Sequence, residues 1–141
     1  MRLQKTCCAF AFAAALGLAG CDDMCPTESP GVDAVQSCTV RPGTSVSVRV
    51  RVCERCNQTA TTCQVDIQGT TIQLDPVSEA CTDSSSCPPG CNLDPNITCT
   101  FTAPATEGTY DVLVYDPTTN TTIPGELVVS GTLPLSCAFP T

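Results

Sequence analysis

The sequence contains no histidine and no tryptophan, and it has no lysine after Lys5. Without histidine, the chain cannot form a Ser-His-Asp or Cys-His catalytic site or a histidine-ligated metal site. Without further lysines it lacks Schiff-base chemistry, and it carries neither a glycine-rich phosphate loop nor a G-x-S-x-G motif. Because these absences remove most of the usual acids, bases and nucleophiles, we predict that the protein is not an enzyme and needs no cofactor.

Basic residues are scarce as well. Six lysines and arginines stand against 14 acidic residues, and every acidic residue follows residue 20. Such an acidic chain repels phosphate backbones, so we expect no nucleic acid partner. The basic residues beyond residue 20 could mark a partner face or balance neighbouring carboxylates, and we favour the second interpretation. They are Arg41, Arg49, Arg51 and Arg55.

The amino terminus has the layout of an export signal. Arg2 and Lys5 precede an apolar run, Cys7 to Leu18, which is too short to span a bilayer as a helix of about 20 residues. The run ends in Leu18-Ala19-Gly20-Cys21, which resembles the lipobox of bacterial lipoproteins. In that family the cysteine thiol takes a diacylglyceryl group before the signal is cleaved. The resemblance implies a signal peptide at 1–20 and lipidation of Cys21.

An ordinary secretory signal cleaved near Gly20 is the alternative. The position of Cys21 directly after the apolar run favours the lipoprotein. Because two or more acyl chains anchor a protein stably, we expect a cell-envelope localisation, on the periplasmic or cell-surface face, with the membrane as a partner through the lipid. Asp22 resembles an inner-membrane retention signal used in one bacterial group, and the choice between inner and outer membrane is left open.

Cysteine is the most informative residue type. Of 13 cysteines, Cys7 and Cys8 leave with the signal and Cys21 takes the lipid. The ten that remain fit five disulfides, which persist in oxidising compartments and typically stabilise a fold by ~2–4 kcal/mol each. Their pairing is left open, with Cys53–Cys56, Cys53–Cys63 and Cys87–Cys91 as short-range candidates. The ten are Cys25, Cys38, Cys53, Cys56, Cys63, Cys81, Cys87, Cys91, Cys99 and Cys137.

The cysteines also permit other functions. Cys53-Glu54-Arg55-Cys56 has the CxxC spacing of an exported thiol-disulfide oxidoreductase, although the motif ends a valine-rich strand where such enzymes begin a helix. The 81–99 loop could instead present an inhibitory or ligand-binding surface. Zinc is disfavoured because there is no histidine and the compartment is oxidising. Calcium is left open, with no EF-hand spacing among its candidate ligands Asp94, Asn96, Asp111 and Asp116.

The rest of the sequence predicts strands. Residues 21–31 read as the lipidated cysteine and a short polar tether, and 32–141 as one β domain. Apolar residues alternate from Val46 to Val52, from Ile97 to Ala103 and from Tyr110 to Val114, and Gly69-Thr70 marks a hairpin. With no helical period and frequent Pro and Gly, we predict a single small antiparallel sandwich of about seven strands.

A resemblance refines this fold. The segment from Phe101 to Asp116, FTAPATEGTYDVLVYD, is similar to the late strands of bacterial Ig-like domains. The resemblance places Tyr110 where the tyrosine corner lies. Antibody-type domains carry a cysteine two residues after that tyrosine, where this chain has Val112, so the disulfides must be arranged differently. We therefore expect a membrane-anchored Ig-like lipoprotein that acts as an interaction or structural module, with an unknown protein or envelope partner.

Overall fold

The computed structural model describes residues 25–80, 91 and 95–141, and these are all β structure with no helix. The predicted signal region and Cys21 lie outside the described residues. So do Cys81, Cys87 and Asp94. The described strands are β1 Thr27–Glu28, β2 Gly31–Val35, β3 Ser37–Val40, β4 Ser45–Cys53, β5 Gln58–Gln68, β6 Thr71–Ala80, β7 Asn96–Thr102, β8 Gly108–Asp116, β9 Thr121–Val129 and β10 Ser136–Ala138.

Period-two alternation explains strand β4. Along β4 the valines from Val46 to Val52 are buried and the residues between them are exposed, as the pattern predicts. The hairpin of β5 and β6 turns at Gly69, whose φ of 61° lies in the left-handed region that glycine adopts without strain. The prediction of a disulfide-rich, all-β chain is confirmed.

The strands form two sheets. The smaller sheet has the order β2-β4-β7, and the larger has the order β1-β6-β8-β9-β3-β10 with β5 also paired to β6. The chain passes from one sheet to the other at Gln36, between β2 and β3. There the Gln36 side-chain oxygen accepts the Arg49 N–H at 3.1 Å, while the Gln36 N–H donates to the Arg49 carbonyl at 2.9 Å. These bonds give the Arg49 N–H and carbonyl groups of β4 hydrogen-bond partners at the point where β2 ends.

Two strand pairings are parallel, which corrects the expectation of a wholly antiparallel sandwich. They are β3 with β9 and β6 with β8. The parallel pairing of β6 with β8 arises because β6, not β5, lies beside β8. Strand β6 buries Ile72, Leu74 and Pro76, whereas β5 is rich in Thr and Gln and has no fully buried residue. The more apolar strand of the hairpin therefore takes the central position, and the polar strand takes the edge.

Aliphatic side chains fill the core between the sheets. The smaller sheet contributes its four β4 valines, and the larger contributes Ile72, Leu74, Val112, Val114, Leu127 and Val129. The disulfide between Cys63 of β5 and Cys99 of β7 crosses from the edge of the larger sheet to the smaller one. A second disulfide joins Cys38 of β3 to Cys137 of β10, which are direct partners in the strand register.

Part of the segment assigned to the tether packs onto the domain. Thr27 and Glu28 pair with β6, and the Ala80 N–H donates to the Pro26 carbonyl at 2.9 Å. Pro30 is buried, and Gly31 already belongs to β2. The chain is therefore held against the larger sheet from Pro26 onward.

Tyr110 forms the hydrogen bond that a tyrosine corner requires. Its ring is buried, and its hydroxyl donates to the Thr106 carbonyl at 3.0 Å, four residues upstream. The bond links the start of β8 to the turn before it. This local feature of the Ig-like resemblance is present in the structure.

Tyr110→Phe is expected to lower the free energy of unfolding by about 1 kcal/mol, because it removes one hydrogen bond and leaves the Thr106 carbonyl without that donor. Urea denaturation measures the change. Tyr115→Phe is the matched control, since the Tyr115 hydroxyl also bonds a nearby residue, Asn120, but on an exposed surface. Its effect should stay within about 0.5 kcal/mol. Equal losses for the two variants would contradict a special role for the corner.

Candidate functional site

A cleft of about 420 Å³ lies at the end of β4. The disulfide between Cys53 and Cys91 forms part of its wall, together with Gly31 and Thr118. A side chain at position 31 would not fit, because an added Cβ would lie 2.6 Å from the Thr118 hydroxyl oxygen and 3.2 Å from Cys53 Cβ. Glycine therefore lets the loop after β8 close over the start of β2.

The observed pairing of Cys53 corrects all three short-range candidates. Cys53 bonds Cys91, and Cys63 bonds Cys99, so neither Cys53–Cys56, Cys53–Cys63 nor Cys87–Cys91 is formed. The reason is the direction of the side chains. Odd-numbered residues of β4 point away from the core, so Cys53 is directed outward, whereas Cys63 and Cys99 lie within or against the core. Spacing along the chain carries no information on this direction.

The CxxC segment holds no free thiol. Cys53 is bonded outside the motif, and Cys56 is disulfide-bonded as well. The motif is followed by the edge strand β5, where an oxidoreductase would place a helix that lowers a thiolate pKa. The segment therefore differs from the helix-start arrangement of thiol oxidoreductases.

Polar side chains order the turn that carries Arg55 into the cleft. The Gln58 side-chain oxygen accepts the Arg55 N–H at 2.9 Å, and the Gln58 N–H donates to the Arg55 carbonyl at 3.0 Å. The buried Glu54 carboxylate accepts the Ala60 N–H, and the Gln58 amide donates to the Glu28 carboxylate. These contacts make Glu54 and Gln58 structural residues of the turn.

Asp116 is the most strongly perturbed carboxylate among the described residues. It is buried, and burial alone would raise its pKa. Hydrogen bonds from the Thr118 and Thr119 hydroxyls and from the Thr118 and Val32 amides outweigh burial and lower the pKa to about 2. Asp116 therefore stays ionised and fixes the β8–β9 turn against β2.

The calcium candidates do not converge where the structure describes them. Asn96 begins β7 in the smaller sheet, whereas Asp111 is exposed on β8 in the larger sheet. Both oxygens of Asp116 already accept hydrogen bonds, and Asp94 lies outside the described residues. Residues 25–80, 91 and 95–141 contain no group of three or more Cys, Asp or Glu residues placed to hold a metal ion.

The arginines divide into two sets. The Arg41 guanidinium donates to the Ser130 and Gly131 carbonyls and thereby closes the loop after β9. Arg49 and Arg51 are exposed on the outer side of β4, and their strand partners Thr98, Asn96 and Ala34 are uncharged. Within the described part of the chain no ion pair joins Arg49 or Arg51 to an acidic side chain, and the interpretation that the arginines balance neighbouring carboxylates stays a prediction.

One contact of Arg51 was not predicted from the sequence. The guanidinium carbon of Arg51 lies 4.7 Å from the ring centroid of Phe139, which follows β10. The sequence gives no local signal for this contact, because the position of Phe139 over β4 depends on the Cys38–Cys137 link that places the carboxyl-terminal segment.

No family model, curated protein or solved structure matches the chain. Among the residues that the structure describes, no helix is long and apolar enough to cross a membrane. The site is therefore interpreted from its own geometry. Much of the 81–99 loop proposed as a ligand-presenting surface lies outside the described residues, so that hypothesis stays a prediction.

Proposed function

We propose that the chain is an exported lipoprotein, anchored through Cys21, whose disulfide-rich Ig-like β-sandwich acts as a non-catalytic interaction or structural module of the cell envelope. The observation that carries the proposal is the state of the cysteines. All eight cysteines of the described residues are disulfide-bonded, and three of the bonds join residues 36, 38 and 99 positions apart. Such bonds persist in extracytoplasmic compartments.

Two features support the Ig-like part of the proposal. Two sheets share one aliphatic core, and the Tyr110 hydroxyl donates to the Thr106 carbonyl, as in a tyrosine corner. The β5–β6 hairpin is a variation within this arrangement, since its second strand lies beside β8. The bond between Cys63 and Cys99 adds a covalent link between the two sheets.

The start of the domain supports an anchor held close to the bilayer. Cys25 is disulfide-bonded, and Thr27 and Glu28 belong to a strand. Only residues 22–24 separate Cys21 from Cys25. Four residue steps span at most about 14 Å, so a lipid on Cys21 would keep the domain next to the membrane surface.

The anchor is tested by intact-mass spectrometry of the full chain expressed in a bacterium that processes lipoproteins. We expect a mature chain that begins at Cys21 and carries the mass of a diacylglyceryl group, and we expect Cys21→Ala to remain unprocessed and unlipidated. Cys8→Ala is the matched control, because Cys8 lies in the signal and its loss should leave processing unchanged. A wild-type protein cleaved without acyl mass would overturn the anchor.

Thiol titration of the unreduced, denatured protein tests the non-catalytic role. We expect no reactive thiol, since the described cysteines are bonded and Cys21 is acylated. Two thiols per chain mapped to Cys53 and Cys56 would contradict this expectation and support the oxidoreductase. One thiol mapped to Cys21 would leave the disulfide-stabilised module intact and remove only the lipid.

A further inference from the structure

The outer side of the smaller sheet has an unusual composition. Strands β4 and β7 pair in register there, and their outward residues from Ser45 to Arg51 and from Asn96 to Thr102 are all exposed. They supply only hydroxyl, amide and guanidinium groups, with no apolar and no acidic side chain from either strand. We name this surface the arginine–hydroxyl face, and its pairs are Ser45 with Thr102, Ser47 with Thr100, Arg49 with Thr98, and Arg51 with Asn96.

The two guanidiniums of this face are the cationic feature of an acidic molecule. The described residues contain four arginines, of which Arg41 is bound to backbone carbonyls and Arg55 lies in the cleft. Strand β2 carries one exposed acidic residue, Asp33, and no ion pair joins it to Arg49 or Arg51 within the described part of the chain. The face is thus locally cationic, and this local charge, not the negative net charge of the chain, is what would meet an anion.

Ordered side chains surround these guanidiniums. Residues 49 and 51 point the same way, with their Cα atoms about 6.6–6.8 Å apart along the strand, and the threonines lie about 4.8 Å away on β7. The Ser47 and Thr100 hydroxyl oxygens lie 3.1 Å apart, and the Phe139 ring packs against Arg51. Short β-strand side chains lose little conformational entropy on binding, so the array is prepared for a flat, hydroxyl-bearing ligand.

We propose that the arginine–hydroxyl face binds an acidic polysaccharide, with uronate carboxylates pairing with Arg49 and Arg51 and sugar hydroxyls bonding the Ser and Thr side chains. Arginine suits this role because its planar fork meets a carboxylate with two hydrogen bonds. Strands β4 and β7 themselves present no apolar or aromatic anchor for a protein partner, and the apolar side chains that border the face are Leu135 and Phe139 of the carboxyl-terminal segment. An anionic membrane surface generally recruits clusters of four or more basic residues. This inference rests on the proposed function as an interaction module, and it adds the chemical class of the partner.

The test is the affinity of the full mature protein for polygalacturonate at an ionic strength of about 0.1 M, where the Debye length is about 10 Å, measured by affinity electrophoresis. We expect Arg49→Gln/Arg51→Gln to weaken binding about fivefold to tenfold, within the range for the sum of two exposed ion pairs. Arg55→Gln is the matched control, because it removes the same charge outside the face, and it should change the affinity less than about twofold. Added salt should weaken the wild-type interaction.

The sugar hydroxyls are tested separately. Thr98→Val keeps the shape and β propensity of the side chain and removes one hydroxyl, and we expect about fivefold weaker binding to polygalacturonate. Poly-glutamate and vesicles of anionic lipid serve as competing ligands. The proposal is overturned if the wild type does not bind polygalacturonate, if Arg55→Gln is as damaging as the double variant, or if either competing ligand binds as tightly. None of these failures would alter the acyl mass or thiol count that test the proposed function.

Discussion

Replacing Cys63 and Cys99 together by alanine is expected to lower the free energy of unfolding by about 3–4 kcal/mol, the range for a closed loop of this size. The bond joins residues 36 positions apart. It also holds the polar edge strand β5 against β7, where half-buried side chains alone provide little apolar burial. Removing both cysteines avoids an unpaired thiol. Urea denaturation of the oxidised proteins gives the value.

Val65→Ala is the control that separates the cross-link from the packing. Val65 lies on the same strand, is half-buried and packs against the same core, but it forms no covalent bond. We expect this variant to lose about 1 kcal/mol. If the double cysteine variant loses no more unfolding free energy than Val65→Ala, the disulfide stabilises the fold only through the packing of its side chains. Faster amide exchange along β5 in the double variant would identify this strand as the part released.

Asp116→Asn is expected to lower the free energy of unfolding by about 2 kcal/mol at neutral pH and to abolish an acid-dependent part of the stability. The pKa of Asp116 is about 2 in the folded chain, below the ordinary value of 3.8. The ionised form is therefore favoured by folding. The stabilisation is complete above pH ~4 and is lost as the pH falls through the folded-state pKa near 2.

The measurement is a series of urea denaturation curves from neutral pH down to the acid limit. Asp111→Asn is the matched control, because Asp111 lies on the same strand but points outward and is exposed. It should leave both the stability and its acid dependence close to the wild type, within about 0.5 kcal/mol. If the free energy of unfolding of Asp116→Asn falls in acid as much as that of the wild type, other carboxylates cause the acid-dependent loss.

The strands predicted from sequence share a strong local signal. Alternation of buried valines identifies β4, and the same two-residue period identifies β7 and β8. The strands that were missed, such as β1, β3 and β10, have two to four residues, which is too few for a period to emerge. Strand β2 contains a register shift between Val32 and Ala34 that breaks its alternation.

The candidate site was harder to predict for a related reason. The segment Asp116-Pro-Thr-Thr has the composition of a side-chain-capped turn, so the role of Asp116 had a local signal that sequence analysis did not use. The cleft had none, because Gly31, Cys53 and Thr118 come from three distant segments. Their meeting depends on which strands pair, which is a property of the whole fold.

The sequence by itself determined the class of structure, because hydrophobic period, turn residues and cysteine content act locally or through composition. It also ruled out histidine-dependent chemistry. Only the tertiary structure decided which cysteines pair, because pairing depends on whether each side chain points inward or outward. It likewise decided that β6 lies parallel to β8 and that Arg49 and Arg51 face outward beside uncharged partners. These features arise from contacts between segments far apart in the chain, where spacing alone carries no directional information.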